Sequence, residues 1–175
     1  MSATTPDGLD TRCGGEPMRA AEGLLDARQL LLAIAGRLRG SSPHIEWARE
    51  LADLHATLVT ASVSEARRPN DFDYFTIHHR IDTMIMLIDR WAAFHLPRAT
   101  TGRRHTHSLG EVISHVAGVY AQTQWTLRHQ PGAQHQHHAA LRFAHAQEGY
   151  AELVEEIRAL RVVLPAGRWR TDTTS

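Results

Sequence analysis

Tyr74-Phe75-Thr76-Ile77-His78-His79-Arg80-Ile81-Asp82-Thr83-Met84-Ile85-Met86-Leu87-Ile88-Asp89-Arg90-Trp91-Ala92-Ala93-Phe94-His95, the main part of the segment 70–95, decides the fold. Tyr74, Ile77, Ile81, Met84, Ile88, Trp91 and His95 recur at alternating steps of three and four, which is the period of one helix face. A helix this apolar belongs in the middle of a bundle. Polar groups carried into such a place, here His78, Asp82 and Asp89, must be paired or must serve a ligand.

The flanking sequence supplies the partners. Upstream, a helix is expected from about Glu16 to Arg39, stopped by Gly40. A second starts at Ser42-Pro43, a cap residue followed by proline at the first helical position, and carries Trp47, Leu51, Leu54, Leu58 and Ala61 along one seam. Pro69-Asn70-Asp71 breaks the chain before the third helix, and Pro97 ends that helix. A fourth opens at Ser108-Leu109-Gly110-Glu111, a capping box, and stops near Pro131-Gly132. A fifth is expected from about Gln134 to Val163. No run alternates as a strand does. The fold class is therefore all-α, an antiparallel bundle of four to five helices, with Ile81, Met84, Ile88, Val116 and Leu153 in its core. The expected boundaries are a disordered leader at 1–15, the helical domain at 16–164 and a disordered tail at 165–175.

Composition excludes several chemistries. All 19 basic residues are arginine, so a PLP Schiff base and a P-loop lysine are both impossible. With Cys13 alone, no disulfide within the chain and no cysteine zinc cluster can form. The 19 basic residues balance 19 acidic ones. That argues against nucleic acid and against an anionic membrane surface as partners, since each calls for a basic stripe. Residues 1–16 lack the charged start and apolar run of a signal peptide, and no stretch of 18 apolar residues exists. The expectation is a soluble, cytoplasmic protein.

Of the 13 histidines, position removes most from a functional reading. His135, His137 and His138 crowd a helix start, His145 shares an outer face with Glu148 and Glu152, and His44 lies in a first turn expected to be exposed. His55 falls between Leu51 and Leu58, at the edge of a buried stripe. His78 leans towards Ile81, with Asp82 one turn on. His55, His78 and Asp82 are thus candidate catalytic groups, or the ligands of a mononuclear metal, since two imidazoles and a carboxylate suit zinc or iron. A ferritin-like di-iron site is disfavoured because no Glu-x-x-His occurs. Measuring height from the connections at about 1.5 Å per residue, His78 and His115 are offset by about 15 Å. This places His115 beside Asp89 and away from Asp82. The connection 96–108 holds Arg98, Arg103, Arg104, His105 and His107 before a helix N-terminus, where free N–H groups and the dipole favour an anion.

Leu54-His55, Ile88-Asp89-Arg90-Trp91 and His105-Thr106-His107-Ser108-Leu109-Gly110, in that order and spacing, resemble actinobacterial proteins of the DUF4254 type, a family of unknown function. The resemblance covers about residues 45–160. It implies an all-helical single domain and draws attention to His55, Asp89, Trp91, His105, Thr106 and Ser108. The family commonly carries an acidic residue where this chain has His107, and another where it has Ser114, so the resemblance assigns no ligand here.

The reading that follows is a small helical enzyme or binding protein for a polar, anionic metabolite, in the setting of specialised metabolism. His55, His78 and Asp82 are its candidate chemical groups. Asp89, Trp91, Arg103, Arg104, His105, His107 and His115 are its candidate ligand-binding groups. The rival is a non-catalytic homodimer whose buried His and Asp groups fix helix register.

Overall fold

Side-chain caps set three of the five helix starts. Asp26 accepts the Gln29 N–H at 2.7 Å, and the Gln29 side chain accepts the Asp26 N–H at 3.0 Å. This reciprocal box opens α1 (Ala27–Ile34). Asp73 accepts from the N–H groups of Phe75 and Thr76 and opens α3 (Tyr74–His95). Ser108 and Glu111 form the expected box at the head of α4 (Leu109–His129). Pro43 begins α2 (Pro43–Val63), and α5 runs over Ala133–Arg158. The computed structural model describes residues 23–40, 42–63 and 72–165. The expected leader, the part of the expected first helix before Gly23, the Pro69 break and the tail beyond Pro165 fall outside the described residues.

Among the described residues the molecule is the expected all-α bundle, with five helices. Ile81, Ile88, Val116 and Leu153 are buried in one core, and Met84 packs against it half-buried. Tyr150 ties the bundle to the chain leading into α1, its hydroxyl donating to the Leu25 carbonyl at 2.7 Å. No described helix is long and apolar enough to cross a membrane.

Four expectations need correction. Of the first helix expected over about Glu16 to Arg39, only Ala27–Ile34 is helical among the described residues: Asp26 caps a start that leaves 23–26 non-helical, and Gly36, not Gly40, takes the left-handed φ of 68° just past its end. The central helix is α4, which packs against α2, α3 and α5, whereas α3 lies on the flank. Residues Gly110, Ser114, Ala117, Gly118 and Ala121 explain the exchange, since small side chains let neighbouring helices approach α4 closely. The flanking α3 leaves Phe75 79% and Phe94 71% exposed despite its apolar composition.

The fifth helix ends at Arg158 rather than Val163. Leu160 turns the chain at φ 56°, and the next residues extend. There a two-residue parallel ladder, absent from the sequence reading, joins β1 (Arg103–Arg104) to β2 (Val162–Val163). The Arg103 N–H donates to the Arg161 carbonyl at 3.1 Å, and the His105 N–H to that of Val163 at 3.0 Å. Gly102 is required beside it, because a Cβ there would lie 2.7 Å from the Arg161 oxygen.

The register of α3 against α4 also differs. A Cβ on Gly110 would lie 2.5 Å from the Ile85 oxygen and 2.9 Å from Asp89 Oδ1, so Asp89 is level with Gly110 and not with His115. In an antiparallel pair, moving five residues on to His115 moves about five back along α3, to the Asp82 turn. The reason is the connection 97–107, which is drawn to β2 by the Arg103–Arg104 pairing before the chain enters α4. Helix α4 therefore begins alongside Asp89, and the last two turns of α3 overhang it by about 10 Å.

Candidate ligand-binding cavity

The overhang makes the site. Beneath the last turns of α3, between the head of α4 and the β2 segment, lies a cavity of about 720 Å³. Ala92, Leu96, Leu109, Ile157 and Val162 give it apolar walls, and Asp89, Arg98, Arg104 and His105 are its charged or titratable lining. This size falls in the range of about 300–1,000 Å³ typical of small-molecule sites.

Asp89 is the deepest polar group, 6% exposed. Its Oδ1 accepts the Gly110 N–H at 2.7 Å. Burial pushes the carboxyl above its ordinary range, hydrogen bonds from the Ser108 side chain and the Gly110 amide pull it back, and the Glu111 charge raises it further. The three basic groups sit nearer the mouth. Arg98 donates to the Ala93 carbonyl at 3.2 Å. The His105 ring shares its Nδ1 with the backbone of His107, 2.7 Å from the carbonyl and 3.2 Å from the amide nitrogen. The Arg104 side chain is exposed, and its guanidinium has no protein partner among the described residues.

The other candidates lie elsewhere. Arg103, next in sequence to Arg104, points away and pairs with Glu156 at 3.0 Å. Alternation along the short strand sends one arginine to the cavity and the other to α5. His107 is exposed, with its Nδ1 2.9 Å from the Thr106 hydroxyl. Trp91 faces the opposite side of α3, where its ring packs at a tilt of 54° against His44 with centroids 3.9 Å apart. His44, expected to be exposed, is buried: Trp91 covers it from another helix, and Trp47 lies 5.9 Å away. Burial, then the nearby His95, lowers its affinity for a proton, with the Gly23 backbone opposing.

The expected catalytic trio does not assemble. His55 is half-buried on α2, with Nε2 2.9 Å from Ser114 Oγ on α4. Its ring lies against Gly118, where a Cβ would come within 3.3 Å. Burial, then the charges of His78 and His115, lower its basicity, so these three histidines are electrostatic neighbours. His78 itself is exposed, with Nδ1 2.8 Å from the Tyr74 carbonyl one turn back, and Asp82 is exposed and forms no ion pair with it. The α3 face bearing His78 and Asp82 turns to solvent because α3 is a flanking helix. Nor do His55, His78 and Asp82 form a metal centre: no group of three His, Cys, Asp or Glu side chains suited to a metal exists among the described residues. His115 is exposed and belongs to the His55 layer, not to Asp89.

The His55–Ser114 contact has the chemistry of a base beside a hydroxyl. Ser114 is only 6% exposed and does not line the cavity, so the contact acts as a polar pin between α2 and α4. Sequence reasoning had placed Asp89, Arg104 and His105 at a site. It had named Arg98 only as part of the basic connection, and it missed the wall 162–165, since only the β1–β2 ladder brings that wall to the head of α4. Compared with known families, curated proteins and solved structures, this chain matches none.

Proposed function

We propose that this protein binds a small anionic metabolite in the cavity beneath the α3 overhang, as a binding protein or a small enzyme. One observation carries the reading. A ligand-sized cavity with apolar walls holds a guanidinium, that of Arg104, that no side chain of the described protein occupies. A carboxylate or phosphate would satisfy it, aided by Arg98 and His105 at the same mouth.

Calorimetric titration of the full chain with hexanoate and 3-phenylpropanoate tests the reading. Both anions should bind, and Arg104→Gln should weaken binding about tenfold, the scale of one charge-assisted hydrogen bond. The folded state should be unchanged, since Arg104 is exposed. No binding, or binding indifferent to Arg104, would overturn the proposal.

A second reading is supported by the outer face of α3, where Phe75, Met86 and Phe94 are exposed. A homodimer formed through that face would be seen as a concentration-dependent shift in sedimentation velocity that Phe94→Ser removes. A monomer at every concentration rules it out.

A further inference from the structure

The cavity holds charges of both signs that do not neutralise each other. Asp89 lines it from the floor and Arg98, Arg104 and His105 from the mouth. Among the described residues Asp89 makes no ion pair within 4.0 Å with any of the three. Opposite charges facing one cavity attract unless the fold holds them apart. Here they are kept apart because each belongs to a different piece of the fold. Asp89 is fixed by the Gly110 amide at the α3–α4 contact. The backbone of Arg104 is held by the β1–β2 ladder. The space between them is the cavity itself.

A simple anion would satisfy only one end of this arrangement. It would bring a negative group into a cavity whose buried floor already presents a carboxylate, and the floor would repel it or be forced to stay protonated. A ligand with a donor or a positive charge at one end and an anion at the other satisfies both. We propose that the ligand is an amino carboxylate with an apolar framework. Its ammonium group meets Asp89, its carboxylate meets Arg104 and Arg98, and its carbon framework lies against Leu96, Leu109 and Val162. This inference rests on the cavity being the binding site and adds the class of compound that fills it.

The test uses matched pairs: 6-aminohexanoate against hexanoate, and L-phenylalanine against 3-phenylpropanoate, titrated into the full chain at pH 7.5. One spacing places the two charges far apart and the other close together. At least one amino carboxylate should bind about tenfold more tightly than its deaminated partner, the increment expected of a charge-assisted hydrogen bond. Asp89→Asn is the decisive variant. Asparagine still offers an oxygen to the Gly110 amide, so the α3–α4 contact is kept while the charge is removed. In that variant the amino carboxylate should lose its preference and the deaminated acid should bind more tightly than in the parent. A purely structural Asp89 would leave both affinities where they were. If the deaminated acids bind as well as the amino acids and depend on Arg104, the amino carboxylate is wrong and the anion site stands. If no compound of either pair binds, both proposals fall.

Discussion

Two histidines make this fold sensitive to acid, and they do so by different means. His44 is packed between Trp47 and Trp91, and its buried Nδ1 has no hydrogen-bond partner among the described residues. His55 is held against Ser114 and Gly118. Both have their proton affinity lowered on folding, from an ordinary value of 6.5. A lowered folded value means that the unfolded chain takes up protons first. The contribution to stability is therefore full above pH 6.5 and is lost as the pH falls from there through the folded values. Asp89, raised above 3.8, works in the other direction: its contribution is present in acid and lost as the pH climbs through its folded value. The melting temperature should accordingly fall between pH 7.5 and 5.5. His44→Phe should keep the tilted ring contact with Trp91, remove the orphaned nitrogen and flatten that fall; an unchanged slope would show that His44 takes no part. His55 could be read from the sequence because Leu51 and Leu58 flank it on the same helix. His44 could not, because the side chain that buries it belongs to a helix forty-seven residues away.

At the scale of the element, the contact between α3 and α4 depends on one missing methyl group. Gly110→Ala would bring a Cβ within 2.5 Å of the Ile85 carbonyl oxygen, and backbone cannot move aside as a side-chain tip can. Overpacking of this kind costs about 1–3 kcal/mol, more than the roughly 1 kcal/mol that alanine gains over glycine in a helix. Urea unfolding should show net destabilisation. Gly149→Ala is the control, since nothing lies within 4 Å of its Cβ position in α5; that change should stabilise. Helix starts and apolar stripes were legible in the sequence because caps act over three residues and the helical period repeats every turn. The Asp26–Gln29 and Ser108–Glu111 boxes are such local signals. Register was not legible. It assumes a connection of known path, and 97–107 takes its path from a strand partner more than fifty residues downstream. The same blindness applied to centrality. The greasiest helix was expected inside, yet small side chains on α4, which let three neighbours approach, decided the matter.

At the scale of the whole molecule, three distant pieces of chain meet to form one cavity: the end of α3, the head of α4 and the segment after α5. No local pattern announces such a meeting, so Arg104 and His105 were found as a basic loop, while the wall opposite them was not found at all. The piece that closes the cavity is also its most slender, a ladder of two residues on each side. That slenderness has a consequence in time. Two backbone amides, those of Arg103 and His105, point into this ladder, and their protons can exchange with heavy water only when it parts. Local openings cost far less free energy than global unfolding, so these two protons should exchange orders of magnitude faster than those in the middle of α4. A bound ligand that bridges Arg104 to Asp89 should slow them and leave the α4 protons alone. Peptide-resolved deuterium uptake across 100–106 would then register each opening of the cavity, occupied or empty, without any label on the ligand.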